Sequence, residues 1–422
     1  MSNTTRLVSI GEQKTEAKEG FGYRTFSSLR HRDYRFLWFS IVMASAGQWV
    51  EQIALSWLVY DMTNSPLMLG VVNGIRAVPF LVFGPLGGVV ADRVDRKKLM
   101  IASQTSIMVI AFITAILVFT NLIQVWHILV LSVLVGIVWS FNMPVRQAML
   151  PSLVPEKDLM NAIALMSAGF NITRIVGPAL AGLLVGVVGI AGCFIIEGIA
   201  YIGVVGMAAA MKVPNSDGSA RNATVRQNLM EGFRYIKNNQ TVFNLIMLAL
   251  IPMLIAMPYA TLMPVFARDV LEIGVSGLGL LMSAPGIGAL VGTLALASLG
   301  GFRRKGWLLV FSGIALGVTL FLFAVTSWVP LALLFLVGVG GASITFLALI
   351  NTMLQLMVPD ELRGRVMSVY MLDMGLMPLG SLVAGAIADA TTASFTVALM
   401  GALCSLMILG IAIKSPGVRR LE

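Results

Sequence analysis

Charge is scarce in this chain: Asp, Glu, Lys and Arg make up 12% of its 422 residues, about half their share in an ordinary soluble domain. Cysteine and histidine are scarcer still, at two each. Cys193 and Cys404 both fall in apolar runs, which argues against a disulfide framework or a zinc site. His31 and His127 are too few and too far apart to ligate a metal, so no metal and no cofactor is expected. No G-x-x-x-x-G-K-S/T phosphate loop occurs, so nothing here would hydrolyse ATP. The opening stretch MSNTTRLVSIGEQKTEAKEG is polar. It lacks the roughly 7–15-residue apolar core of a signal peptide, and is expected to stay in the cytoplasm as a tail.

What the chain has instead is apolar residues, 58% of the total. A bilayer-spanning helix takes roughly 20 mostly apolar residues. A soluble enzyme with one core and a single-span receptor are both excluded. Apolar runs broken by charge, Pro or Gly lie at 35–60, 66–91, 99–120, 126–146, 161–186, 190–211, 241–267, 277–300, 307–326, 329–353, 366–388 and 393–413. An even number of crossings places both termini on one side.

The formal charge is +9, from 29 Lys and Arg against 20 Asp and Glu. In a soluble protein this would invite a nucleic-acid reading. Threaded through twelve spans, however, 25 of the 29 basic residues fall on one side, three lie within spans, and Arg268 alone falls in an opposite loop. Lys and Arg gather on cytoplasmic loops, so both termini are expected in the cytoplasm and the surplus reports orientation. No nucleic-acid partner is expected.

The halves repeat. MLPSLVPEKDL at Met149–Leu159 reappears as MLQLMVPDEL at Met353–Leu362, an offset of 204 residues, and Ala181-Gly182 reappears as Ala384-Gly385 at 203. RKK at Arg96–Lys98 has a degraded partner in RRK at Arg303–Lys305. The expected fold is all-α and integral to the membrane: twelve transmembrane helices in two six-helix halves related by a pseudo-twofold axis around a central cavity. Its parts are a tail at 1–34, a half at 35–211, a linker at 212–240, a second half at 241–413 and a tail at 414–422. Two halves of like topology are the signature of transporters that rock one half against the other.

GVVADRVDRKKLM, from Gly88 to Met100, matches the signature of the major facilitator superfamily, departing from it at Asp95 where the pattern has Gly. The chain resembles that superfamily over essentially its whole length. DYRFLWFS, LSWLVYDMTNSP, PVRQAMLPSLVPEKDL and DELRGRVMSVYM look like the branch containing the enterobactin (siderophore) exporter and the macrolide-efflux proteins. Gly177-Pro178 followed by Gly182 is similar to the motif of the superfamily's antiporters. The resemblance implies a breakable cytoplasmic latch around Gly88, Asp92, Arg93 and Arg96, facing Glu361, Arg363 and Arg365 from the other half. An anion at the end of a helix can pair with Arg or face another helix's unsatisfied N–H groups. The alternative is that the basic residues only enforce topology.

Charges at membrane depth cost about 2.5–3.5 kcal/mol each and mark function by default. Six occur: Glu51, Arg76, Arg146, Arg174, Glu197 and Asp373. Span 1 places Ser45, Gln48, Glu51, Gln52 and Ser56 on one helical stripe. Span 5 repeats the pattern with Ser167, Asn171 and Arg174, and span 2 carries Asn73 and Arg76. Gln48, Gln52, Asn73, Arg76, Asn171, Arg174 and Tyr370 are therefore the substrate-cavity candidates. Glu51 and Asp373 are the candidate proton-coupling carboxylates, since burial raises a carboxylate's proton affinity. Either Arg76 or Arg174 is a possible partner for Glu51, and a permanent salt bridge is the competing reading. By resemblance the sixth helix stands outside the cavity, which sets Glu197 below the others. Arg146, close to the cytoplasmic end of span 4, is expected to snorkel and serve the gate.

Methionines in spans 7 and 11 suit a pocket for varied apolar ligands, although ordinary packing uses them too. Pro252, Pro258 and Pro264, Pro285, and Pro378 are helix breakers where the halves must move. The function expected is secondary active export of a small amphipathic molecule, such as a siderophore or macrolide, across the inner membrane. A proton gradient would supply the energy. The protein is expected to be monomeric, with membrane lipids as its other contacts. The alternatives are a lipid flippase or importer on the same fold, and a non-transporting sensor.

Overall fold

Backbone N–H and C=O groups in hydrocarbon must be paired within the protein, and a helix pairs them inside one segment. The computed structural model, which describes residues 26–213, 225–298 and 304–419, is helical to match, with no strand among the described residues. The first four long helices are α1 (Arg32–Thr63), α2 (Pro66–Arg93), α3 (Arg96–Phe119) and α4 (Val125–Leu153). The next helical run, Glu156–Ala210, has 55 residues. At about 1.5 Å per residue it would be some 80 Å long if straight, far beyond a hydrocarbon core of about 30 Å. It breaks at Gly189, whose φ of 73° and ψ of 175° a side chain would resist. The break yields α5 (156–188) and α6 (190–210).

A linker helix, α7 (Val225–Asn238), leads into α8 (Gln240–Val270), α9 (Gly274–Ser298), α10 (Lys305–Ala324), α11 (Val329–Met357), α12 (Asp360–Ala390) and α13 (Ala393–Lys414). Among the described residues, each of the twelve expected apolar runs lies largely within a helix. Among the described residues nine helices are long and apolar enough to cross a membrane, and the 55-residue run counted as one of them divides into two.

Helix ends explain several sequence features. Asp95 caps α3, its carboxylate accepting from the N–H groups of Lys97 (2.9 Å) and Lys98 (3.2 Å), with φ at −53°. The departure from the glycine pattern thus supplies an N-cap. The repeated Val-Pro step has the same place in both halves. Pro155 precedes α5 and Pro359 precedes α12, each followed by acids in the first turn, where the helix dipole favours them. In α8 the three prolines accompany a π turn at Pro252–Ala256, a 3-10 turn at Met257–Leu262 and a second π turn at Phe266–Val270. α12 carries a 3-10 turn at Met371–Leu376, just before Pro378. Pro285 differs from the expected bend, because α9 runs through it without interruption.

In the first half α1 packs on the α5–α6 run, α2 on α4, and α3 on α4 and the α5–α6 run. In the second, α9 packs on α11, and α10 on α11 and α13. The halves meet along two seams, α2 with α12 and α5 with α9. Both seams use small residues, as membrane helices do when backbones approach closely. A methyl group on Gly182 of α5 would lie 2.8 Å from the Val275 carbonyl and 2.9 Å from the Gly279 Cα of α9. On the other seam, a methyl on Gly70 would lie 2.6 Å from the Ser381 carbonyl. The linker helix docks on the start of α12 through the Glu231–Arg365 ion pair and the close approach of Gly232, where a methyl would lie 2.7 Å from the Arg365 carbonyl.

Candidate functional site

The polar stripe of α1 turns toward α2. Arg76 Nη1 lies 2.9 Å from Glu51 Oε1, and Nη2 lies 3.0 Å from Oε2. This two-point pairing satisfies both carboxylate oxygens at once, the strongest geometry open to such a pair. Glu51 is buried, so separating the pair would strand a charge. Gln52 and Ser56 of α1 face Asn73 and Arg76 of α2 across a small cavity closed by Leu55, Val59, Leu69 and Val72. Gln48 is half-buried one turn before Gln52. Asn73 donates to the Leu69 carbonyl of its own helix.

Two expectations change here. Arg174 does not join Glu51: its carbonyl lies at the α5–α9 seam beside Gly286, and its charge interacts with Tyr259 of α8. Asn171, one turn earlier, is exposed and bonds back to the Ser167 carbonyl. Glu197, set below the others because of where its helix stands, lies off the small cavity but is buried behind the pair. It is 1% exposed, interacts with both Glu51 and Arg76, and its Cγ lies 3.5 Å from where a methyl on Gly47 would be. α6 backs onto α1, and the absence of a side chain at Gly47 admits both Glu197 and Tyr201. A glycine among the polar residues of span 1, facing a Cys193–Glu197–Tyr201 stripe at four-residue spacing, was the available signal.

Arg146 is a third correction. It is 8% exposed and lies seven residues, about 10 Å, inside the end of α4, near Tyr201. Its guanidinium is held within the bundle, so it does not snorkel. Asp373 is buried in the 3-10 turn of α12, with the half-buried Tyr370 one turn before it. That turn packs against α2, which places the second candidate carboxylate beside the first half.

Residues 23–422 match the family described as transmembrane secretion effector. The chain belongs to this family, within the major facilitator superfamily. The chain is 26% identical to the staphyloferrin A transporter of Staphylococcus aureus, over 89% of this chain and 94% of that one. It is 25% identical to macrolide efflux protein A of Streptococcus pyogenes, over 88% and 92%. The fold is that of the nucleoside transporter NupG in a crystal structure of a point mutant, with a TM-score of 0.74 at 14% identity, covering 90% of this chain and 99% of that one. Siderophore and macrolide carriers both appear among the relatives, as the branch resemblance implied.

Of the candidate gate residues, Gly88, Asp92 and Arg93 lie outside the residues whose side chains are described, although the backbone of α2 runs through them. Arg96 opens α3. Glu361 is exposed in the first turn of α12. Arg363 pairs with Asp360 at 2.5 Å and donates to the Gln355 carbonyl at 3.0 Å, while Arg365 pairs with Glu231 of the linker helix. The structure thus engages both arginines on their own side. The antiporter-like motif lies at a seam. Gly177 admits the Trp49 ring of α1, and Pro178 and Gly182 back directly onto Gly279.

A cluster of polar contacts between the halves, at the end away from the basic loops, was not foreseen. Tyr60 of α1 donates to Asp269 of α8, and the Arg268 guanidinium stands 5.4 Å over the Tyr60 ring and 3.6 Å from Asp61. Ser65 donates to Asp389 of α12 at 2.6 Å. These side chains read as ordinary loop polarity until the fold brings residues some 200 and 320 positions apart together.

Proposed function

We propose that this protein is a secondary active exporter that moves a small amphipathic molecule, of siderophore or macrolide type, out across the cytoplasmic membrane in exchange for protons. The observation that carries the reading is the buried Glu51–Arg76 pair beside a polar cavity, in a bundle whose two halves touch from mid-depth to one end. With both termini and the basic loops in the cytoplasm, that end faces outward and the conformation is inward-facing. Alternating access follows if the Tyr60–Asp269 gate parts while the cytoplasmic loops draw together, Asp92 then meeting the Glu361–Arg365 segment. Glu51 is the coupling carboxylate, its two-point bond to Arg76 made in one conformation and parted in the other. Asp373, Gln48, Gln52, Asn171 and Arg174 supply polar contacts to the substrate. The small-molecule carriers among the relatives support this class of cargo.

The test is transport by the purified protein in vesicles with an imposed pH gradient, offered a ferric and a metal-free siderophore, a macrolide and a cationic dye. At least one compound should move faster than in empty vesicles, and its movement should collapse with a protonophore. If none moves, and none shifts thermal stability, the exporter reading fails. Movement of labelled lipid alone would mean a flippase.

A further inference from the structure

Glu197 is nearly fully buried and its Oε2 has no hydrogen-bond partner. The exchange described above does not use it, and a buried polar atom without a partner calls for an explanation. The groups that face it come from several helices. Its Cγ lies 3.5 Å from where a methyl on Gly47 would be, one turn before Glu51 on α1, and the charges of Glu51 and of Arg76 of α2 act on it. On its own helix, Cys193 and Tyr201 stand one turn to either side, and Tyr201 in turn faces Arg146 of α4. From α3 comes the apolar ring of Phe112, against Gly198.

Both oxygens of Glu51 are occupied by the two terminal nitrogens of Arg76. One guanidinium is therefore the cation whose charge reaches both carboxylates, and its two-point face is committed to Glu51. Two carboxylates sharing a single close cation in a dry site do not both ionise; one keeps a proton. We infer that Glu197 holds the exchangeable proton of the coupling site in this conformation, with Glu51 serving as the carboxylate that holds Arg76. This rests on the proton-coupled reading and assigns its proton to an atom. When Arg76 swings from Glu51 to Glu197, the Glu197 O–H bond breaks and its proton leaves to the cytoplasmic side as the carboxylate takes the guanidinium; Glu51, freed of Arg76, takes a proton from the outer side, and passes it to Glu197 when Arg76 returns, so that one proton enters per cycle. The trio carries one proton and no net charge in both states.

Infrared spectroscopy of the purified protein in lipid at neutral pH reads this without any substrate. The carbonyl stretch of a protonated carboxylic acid should be present in the natural protein, absent from Glu197→Gln and shifted in Glu197→Asp. Glu51→Gln keeps Glu197 but leaves it as the sole partner of Arg76, so the band should vanish there too. In vesicles, Glu197→Gln should lose at least tenfold in pH-driven movement of the macrolide erythromycin. The inference is overturned if the natural protein shows no such band, if the band survives either glutamine variant, or if Glu197→Gln moves erythromycin within twofold of normal. A band that behaves as expected in a protein that moves no compound would support the proton on Glu197 and defeat the exporter reading alone.

Discussion

Replacing Gly182 by leucine should prop the two halves apart at the end where they now touch. The first added carbon would lie 2.8 Å from the Val275 carbonyl and 2.9 Å from the Gly279 Cα, both backbone atoms that no side-chain rotation can move. Overpacking of this kind costs typically about 1–3 kcal/mol. At about 1.4 kcal/mol per factor of ten, that shifts the closed-to-open ratio at this seam roughly 5- to 150-fold, and a backbone obstacle argues for the upper part. Spin labels on Thr120→Cys and Ser327→Cys, exposed positions in different halves at that end, would report the separation by double electron–electron resonance. Cys193 and Cys404 are buried and would be replaced first. The long-distance population should rise in Gly182→Leu and stay unchanged in the control Gly206→Leu, where nothing lies within 4 Å of the added carbon. A Gly182→Leu distribution superimposable on that of the parent, in a protein with the same unfolding temperature, would refute the seam as described.

Tyr60→Phe removes a hydrogen bond to a carboxylate, worth about 1.5–3 kcal/mol when well buried. Asp269 is 47% exposed, so a shift of about tenfold toward the open outer end is expected from the same label pair, and none would exclude Tyr60 from the gate. Removing either partner of the Glu51–Arg76 pair should cost about 3–5 kcal/mol. Arg76→Gln should be the worse of the two, because it leaves the buried Glu51 with no cation, whereas in Glu51→Gln the guanidinium can turn to Glu197, and the double variant should recover part of the loss in thermal unfolding. Equal losses in the two single variants would count against Glu197 as a member of the trio. Gly189→Ala should destabilise by about 1–3 kcal/mol, measured by detergent-resistant thermal unfolding, and a neutral result would mean that the α5–α6 break lies elsewhere. Asp95→Ala should cost about 1 kcal/mol and Asp95→Gly only a few tenths; identical losses would show that the cap is not the reason for an acid there.

The fold was legible because its main determinants are additive along the chain. Twelve apolar runs, their basic flanks and a repeat offset of 204 residues can be counted without knowing any contact. The site was legible as a set of residues but not as a set of partners. Glu51 and Arg76 stood out as charges in apolar runs, yet Arg76 and Arg174 competed for Glu51 on equal terms. Glu197 was set aside by analogy with where a sixth helix usually stands, and Arg146 by its closeness to a loop. Both corrections have one cause, which is that these side chains point into the bundle. The Tyr60, Ser65, Asp269 and Asp389 contacts were invisible for another reason, since polar residues at helix ends are common and only proximity joins them across the two halves.

Low charge, long apolar stretches and one-sided basic loops determined by themselves that this chain is a helical membrane protein in two similar halves. The energy of placing a residue in lipid depends mainly on that residue and its near neighbours in sequence. The tertiary structure decided that Arg76 holds Glu51, that Glu197 stands with them, and that Gly182 and Gly70 form the seams between the halves. Those choices depend on how far each helix is rotated about its axis and on which helix lies beside it. Successive residues on a helix differ by about 100°, so a modest rotation exchanges a lipid-facing side chain for a buried one while leaving the sequence pattern of the run unchanged.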